Sequence, residues 1–183
     1  MPWLRELIEI IKSQRKHAGF FEWPQKDTKE LGVVKCLIES LEKDGYYSYS
    51  DPNSYKKDPP DCIARDNSGK GVGIEVSELV DLKTVKDAQQ NKASPKYWDR
   101  EEVLDKIQSI ILKKEQKKFH GGPYSSIILV IFTDETFLDP DDVIPYLQQH
   151  EFKNTKQITD IYLLFSYDSR HNKYPYLKLK KGK

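Results

Sequence analysis

The stretch Pro59-Pro60-Asp61-Cys62-Ile63-Ala64-Arg65-Asp66-Asn67-Ser68-Gly69-Lys70-Gly71-Val72-Gly73-Ile74-Glu75-Val76-Ser77-Glu78-Leu79 reads as two strands joined by a tight turn. Cys62–Arg65 is a short apolar strand, Asp66-Asn67-Ser68-Gly69 carries turn chemistry, and Val72–Leu79 is a second strand with a side-chain period of two. Asp61 falls at the mouth of the first strand and Glu75 lies inside the second, so two carboxylates come near facing points of a strand pair. Hard oxygen ligands from adjacent strands, with room for water and a phosphate oxygen, suit Mg²⁺ or Mn²⁺. Ser77 shares the strand face of Glu75, whereas Glu78 points to the opposite face.

Working outward, Asp27 or Thr28 can cap a helix that runs to about Asp44 and ends at Gly45, with Leu31, Val34, Leu37, Ile38 and Leu41 on its core face. Glu30 extends that face by one turn, while Glu39 and Glu42 turn toward solvent. A helix from about Asp99 to Phe119 carries Val103, Leu104, Ile107, Ile110 and Ile111 in one stripe that Lys114 and Lys118 continue. Ser125–Thr133 is a continuous β-branched run of strand length, the pattern of a central strand covered on both faces. A helix follows from Asp139-Pro140 to about His150, then strands over Ile161–Tyr167 and Tyr174–Leu179. Tyr46–Tyr49 reads as an edge strand and Asp51–Asp58 as a polar loop. The expected architecture is α/β, a mixed central sheet of about four to six strands flanked by helices.

Proline-aspartate, a gap, and then acid-x-lysine on a strand is the signature of the PD-(D/E)XK nuclease-like, or restriction endonuclease-like, superfamily. The chain resembles that family over about residues 28 to 133, through Pro60-Asp61 and Glu75-Val76-Ser77 and the order helix, strand, strand, helix, strand. It departs from the pattern at Ser77, where the family has lysine. The resemblance implies metal-dependent hydrolysis of phosphodiester bonds in nucleic acid, with DNA as the first expectation. It also implies that Asp61, Glu75, the main-chain carbonyl of Val76 and Glu30 hold one or two Mg²⁺ or Mn²⁺ ions. In this family the lysine sometimes comes from a neighbouring helix, which singles out Lys114, with Lys106 and Lys117 behind it, to hold the attacking water and offset transition-state charge. Ser77 can position a water but cannot replace an ammonium charge. Cutting both strands of a duplex would favour a two-fold homodimer.

Other readings of the same residues stay open. Glu30 is also an ordinary first-turn acid favoured by the helix dipole, and Lys114 is also a lysine whose stem covers apolar surface. A degenerate, non-cleaving relative would bind nucleic acid or a protein. An interaction module would use the amphipathic pattern of Pro2–His17 and the aromatic Phe20–Trp23 segment.

Composition narrows the rest. At 183 residues the chain fits one domain, with residues 1–24 as an N-terminal helix and aromatic segment, 28–133 as the motif-bearing core and 134–183 as a C-terminal helix and strands. No apolar run approaches the roughly 18 residues of a membrane span and the start lacks a signal-peptide layout, so a cytoplasmic, soluble protein is expected. Cys36 and Cys62 lack metal-ligand spacing and read as buried thiols. The formal net charge of +1 argues against a general basic coat, although Lys113, Lys114, Lys117 and Lys118 cluster at one helix end and lysines crowd the C-terminus. Asp81–Lys96 reads as a surface loop. There is no glycine-rich phosphate loop and no nucleophile elbow.

Overall fold

A run such as Ile127-Ile128-Leu129-Val130-Ile131-Phe132 can escape water on both faces only at the centre of a sheet. In the computed structural model, which describes residues 25–81, 83, 96–135, 137–153 and 155–182, this run forms β4 (Ser126–Thr133). The other elements, in chain order, are α1 (Lys26–Lys43), β1 (Tyr49–Ser54), β2 (Cys62–Asp66), β3 (Gly71–Glu78) and α2 (Arg100–Glu115) before it. After it come α3 (Pro140–Leu147), β5 (Glu151–Phe152), β6 (Asp160–Phe165), β7 (Tyr176–Lys178) and β8 (Lys180–Lys181). The protein is an α/β fold with a mixed six-stranded sheet in the order β1-β2-β3-β4-β6-β7, while β5 and β8 pair separately.

β1, β2 and β3 form an antiparallel meander, β3, β4 and β6 run parallel, and β7 returns antiparallel. The even positions of the central strands, Val72, Ile74, Val76, Ile128 and Val130, pack with Val33, Val34, Leu37 and Leu41 of α1. The odd positions, Leu129, Ile131, Ile161 and Leu163, pack on the opposite face with Val103, Ile107 and Ile111 of α2 and with Val143 and Leu147 of α3. Helices therefore cover both faces, which is the requirement of a parallel sheet. Asp99 begins α2 in a capping box with Glu102, satisfying two main-chain donors at that end.

Several boundaries depart from expectation, each for a physical reason. β1 covers Tyr49–Ser54 instead of Tyr46–Tyr49, so it enters the segment read as a polar loop. It lies at the sheet edge, where Pro52 costs no ladder bond and where the register shifts between Ser50 and Asn53, with Asp51 at φ +52°. α1 begins at Lys26 with Gln25 as a cap residue that makes no side-chain cap bond, so Asp27 is a first-turn acid and not the cap. α2 ends at Glu115 and not near Phe119, because the chain peels away so that His120 N donates to Pro59 O at 2.9 Å. β6 stops at Phe165, and of the stretch read as Tyr174–Leu179 only Tyr176–Lys178 is strand, β7, after which the chain crosses to pair with β5 as β8. The expected N-terminal helix over Pro2–His17, the Phe20–Trp23 segment and the loop at 82 and 84–95 lie outside the described residues. No helix among the described residues is long and apolar enough to cross a membrane.

The C-terminal end of α2 is tied to the segment before β6 chiefly through the Glu115 side chain, with Gln157 Nε2 donating back to Glu115 O at 2.8 Å. The Glu115 carboxylate accepts the main-chain N–H groups of Lys156, Gln157 and Ile158, with Lys156 N at 2.7 Å and Ile158 N at 3.1 Å. Replacing Glu115 with alanine strands donors beside the fully buried Ile158. Glu115→Ala is expected to cost about 2–3 kcal/mol of stability, read as a lower urea midpoint at unchanged slope.

Candidate metal centre

Extending the β2–β3 register, in which Cys62 faces Ile74 and Ile63 faces Gly73, sets Asp61 opposite Glu75. Both project to the α2 side of the sheet. Close packing under them is built in at Gly73, where a β-carbon would lie 2.8 Å from Ile127 Cδ1 and 3.3 Å from Pro60 Cγ. The turn before β2 is held by Tyr55 N donating to Asp61 O and by the His120 bond to Pro59. Gly121, at φ +79°, a backbone conformation that a side chain would strain, lies against the Tyr55 hydroxyl.

Asp61 and Glu75 are both buried, Glu75 completely. Asp61 Oδ2 accepts the main-chain N–H of Val76 at 2.8 Å, which fixes its orientation. Lys114, in the last turn of α2, donates to Glu75 Oε2 at 2.6 Å and to the Val76 carbonyl at 2.7 Å, and its Nζ lies 3.5 Å from Asp61 Oδ2. Lys117, just beyond the helix end, donates to the same Glu75 oxygen at 2.9 Å and pairs with Asp58 Oδ1 at 3.4 Å. Lys26 continues the chain of charges from Asp58 at 3.3 Å to Glu30 at 3.4 Å. Glu75 Oε1 is buried without a hydrogen-bond partner among the described residues.

Asp58, Asp61 and Glu75 each offer a carboxylate oxygen within 4.8 Å of the others, a spacing that could hold a metal ion. These are hard donors of the kind Mg²⁺ and Mn²⁺ take. The lone Glu75 Oε1 and the Val76 carbonyl add two oxygen donors at the same place.

The electrostatics separate the acids. Burial and the neighbouring Asp61 charge push the Glu30 carboxyl up to about 7, against the opposing pull of Lys26. Asp58 is held below the usual carboxylate range: burial works against its charge, but Lys117 and Lys26 prevail. Burial also disfavours the Lys117 ammonium, yet Glu75, Asp61 and Asp58 outweigh it and raise its pKa.

Of the residues singled out from sequence, Asp61, Glu75, the Val76 carbonyl and Lys114 meet directly, and Glu30 sits at the edge of the same charge network. Ser77, in register with Ile131, stands beyond Glu75 and takes no part in the ion pairs. Lys106 is not among the lysines that reach the acids, whereas Lys117 is. Glu78 lies on the other face, bound to Lys29 at 2.9 Å. Asp58 and Lys26 were not singled out as site residues. The signal for Asp58 was its place at the head of Asp58-Pro59-Pro60-Asp61, inside the stretch read as a loop. Lys173 and Lys178, in the basic C-terminal stretch, are paired with Asp44 and Asp160, each at 2.7 Å, and Arg170 and His171 both sit on Asp168.

A cleft of about 540 Å³, lined by Tyr55, Ile63, Arg65, Pro123 and Tyr124, begins two residues along β2 from Asp61. No protein-family model, curated protein or solved structure matches the chain.

Because Glu30 keeps its proton in the folded state up to about pH 7, whereas an unfolded glutamate loses it near pH 4.5, the folded chain binds more protons in that interval. Stability from this group therefore falls as pH rises from about 4.5 to 7. Glu30→Gln, which cannot ionise, is expected to gain about 1–3 kcal/mol relative to wild type between pH 5 and pH 8. Urea unfolding of both proteins in chelator at the two pH values measures the difference.

Proposed function

We propose that this chain is a metal-dependent nuclease of the PD-(D/E)XK kind that hydrolyses phosphodiester bonds of nucleic acid, DNA before RNA, with Mg²⁺ or Mn²⁺ as cofactor. The observation that carries this reading is the buried pair Asp61 and Glu75, facing each other from adjoining antiparallel strands, with a lysine of the next helix on both. Asp61, Glu75 and the Val76 carbonyl would hold the ion, with Asp58 and Glu30 at its margin. The unpartnered, fully buried Glu75 Oε1 fits that role, since an orphaned buried acceptor costs stability unless a cation satisfies it. When bound, such an ion supplies Lewis-acid polarisation of the phosphate and activation of water.

The chain's own groups supply the remainder. The Val76 N–H holds Asp61 in one orientation, so the two acids need not reorganise during reaction. Lys114, in the last turn of α2, and Lys117, just beyond it, bring two ammonium charges to Glu75 and would stand in for the lysine that the family carries at the position of Ser77. They serve to offset negative charge growing on a phosphate. Ser77 serves as a hydroxyl that orients water. The aromatic cleft along β2 gives a nucleotide flanking the phosphate a surface on which to stack.

A second reading, a non-cleaving relative that binds nucleic acid or a protein, is favoured by one fact. Lys114 already pairs with both acids and Lys117 with Glu75, so the pair has a structural use without any metal.

Cleavage of labelled duplex and single-stranded DNA in Mg²⁺ and Mn²⁺ decides between them. On the nuclease reading Asp61→Asn and Glu75→Gln each lower the rate at least about 100-fold, with folding checked by circular dichroism. Retained cleavage in either variant removes the site assignment. Salt-sensitive DNA binding with no turnover in wild type selects the second reading.

A further inference from the structure

An ammonium group has three N–H donors, and the three oxygens around Lys114 Nζ are Glu75 Oε2, the Val76 carbonyl and Asp61 Oδ2. This is the same set of atoms that would ligate a divalent ion in the proposed centre. We infer that Lys114 is the resident cation of this site in the metal-free protein, and that a divalent ion enters only by displacing it. The inference rests on the metal-binding part of the nuclease reading.

Three features support displacement over coexistence. A lone pair of Val76 and the nearer oxygen of Glu75 are already engaged by the ammonium at 2.7 and 2.6 Å. A dication on the same oxygens would stand against a third positive charge in a site where water is largely excluded. Lys114 also belongs to the last turn of α2, on an unbranched stem, so its tip can leave by side-chain rotation while the helix stays anchored through Glu115. Lys117 is not an equivalent occupant, because it reaches Glu75 and Asp58 but neither Asp61 nor the Val76 carbonyl.

The consequence for the reaction is a coupling. The ammonium freed by metal entry is the charge that the proposed mechanism needs on the phosphate, so Lys114 is the ion-pair partner of the acids at rest and the partner of the substrate once the ion is bound. Glu75 Oε1, with no hydrogen-bond partner among the described residues, gives the incoming ion an initial ligand that Lys114 does not contest.

The test is calorimetric titration of Mn²⁺ and Mg²⁺ into wild type, Lys114→Met, Lys114→Gln and Lys117→Met. Lys114→Met is expected to bind at least tenfold tighter than wild type, with Lys114→Gln between them and Lys117→Met changed less. In wild-type protein labelled at lysine side chains, the Lys114 methylene signal, assigned by its loss in Lys114→Met, is expected to move on adding Mg²⁺. Equal affinities in wild type and both Lys114 variants, or a Lys114 signal that stays fixed while Mg²⁺ binds, would overturn the displacement and leave the metal centre standing. No binding to any of the four proteins would overturn both. The NMR arm is read in the wild-type protein, and loss of the same lysine signal in the charge-conserving Lys114→Arg supplies the assignment if Lys114→Met folds poorly.

Discussion

A carboxylate buried completely in the middle of a sheet sets the terms for much of this molecule. Glu75 cannot remain charged there alone, since an unpaired ion in the interior costs several kcal/mol even after the protein relaxes. The sheet itself offers no cation, because the neighbours of Glu75 on that face are Gly73, Ser77, a second acid at Asp61 and the apolar residues of β4. The compensating charge must come from the covering helix. That demand explains why α2, apolar along Val103, Ile107, Ile110 and Ile111, turns to lysine at Lys114 where it passes over Glu75. It also explains why the helix end is so firmly held. A lysine that must meet three oxygens cannot sit on a fraying turn, and Glu115 ties that turn to three consecutive main-chain N–H groups.

The sheet topology delivers the second acid. A tight antiparallel turn brings β2 back along β3 with Asp61 at its entry, and the Pro59-Pro60 segment is clasped between β1 and the chain leaving α2. Four segments distant in sequence thus converge on one small volume, namely the start of α1, the turn before β2, the middle of β3 and the end of α2. Their charges alternate along a chain from Glu30 through Lys26, Asp58 and Lys117 to Glu75, Lys114 and Asp61. With the Glu30 carboxyl raised to about 7, the group is close to neutral as a whole near physiological pH. A balanced cluster is the form in which several buried ions are tolerated together.

What could be read in the sequence followed the strength of local patterns. Asp61 and Glu75 were legible because a turn of Asp-Asn-Ser-Gly fixes how two short strands face each other. Lys114 was legible because helical spacing carries the apolar stripe of α2 straight to it. β4 announced itself by its unbroken β-branched run. Asp58 and Lys26 were not legible, since each acquires its role from contacts across the fold. Lys26 also stands one residue before the expected cap of α1, and no side chain marks the true start at Gln25. β1 was misplaced for a related reason. An edge strand is bonded on one side and half exposed, so its residues carry little of the alternation by which inner strands are recognised.

That edge has a further consequence for how the molecule meets copies of itself. Sheets that end in a long, flat strand invite a second chain to add to them and grow without limit. Here one border carries Pro52, which has no N–H to offer, and a kink at Asp51, while the other border is the three-residue β7. Neither is a template for continued pairing. If two copies do come together, their contact is therefore expected through helices and loops, and the open margins of the sheet act as barriers to aggregation.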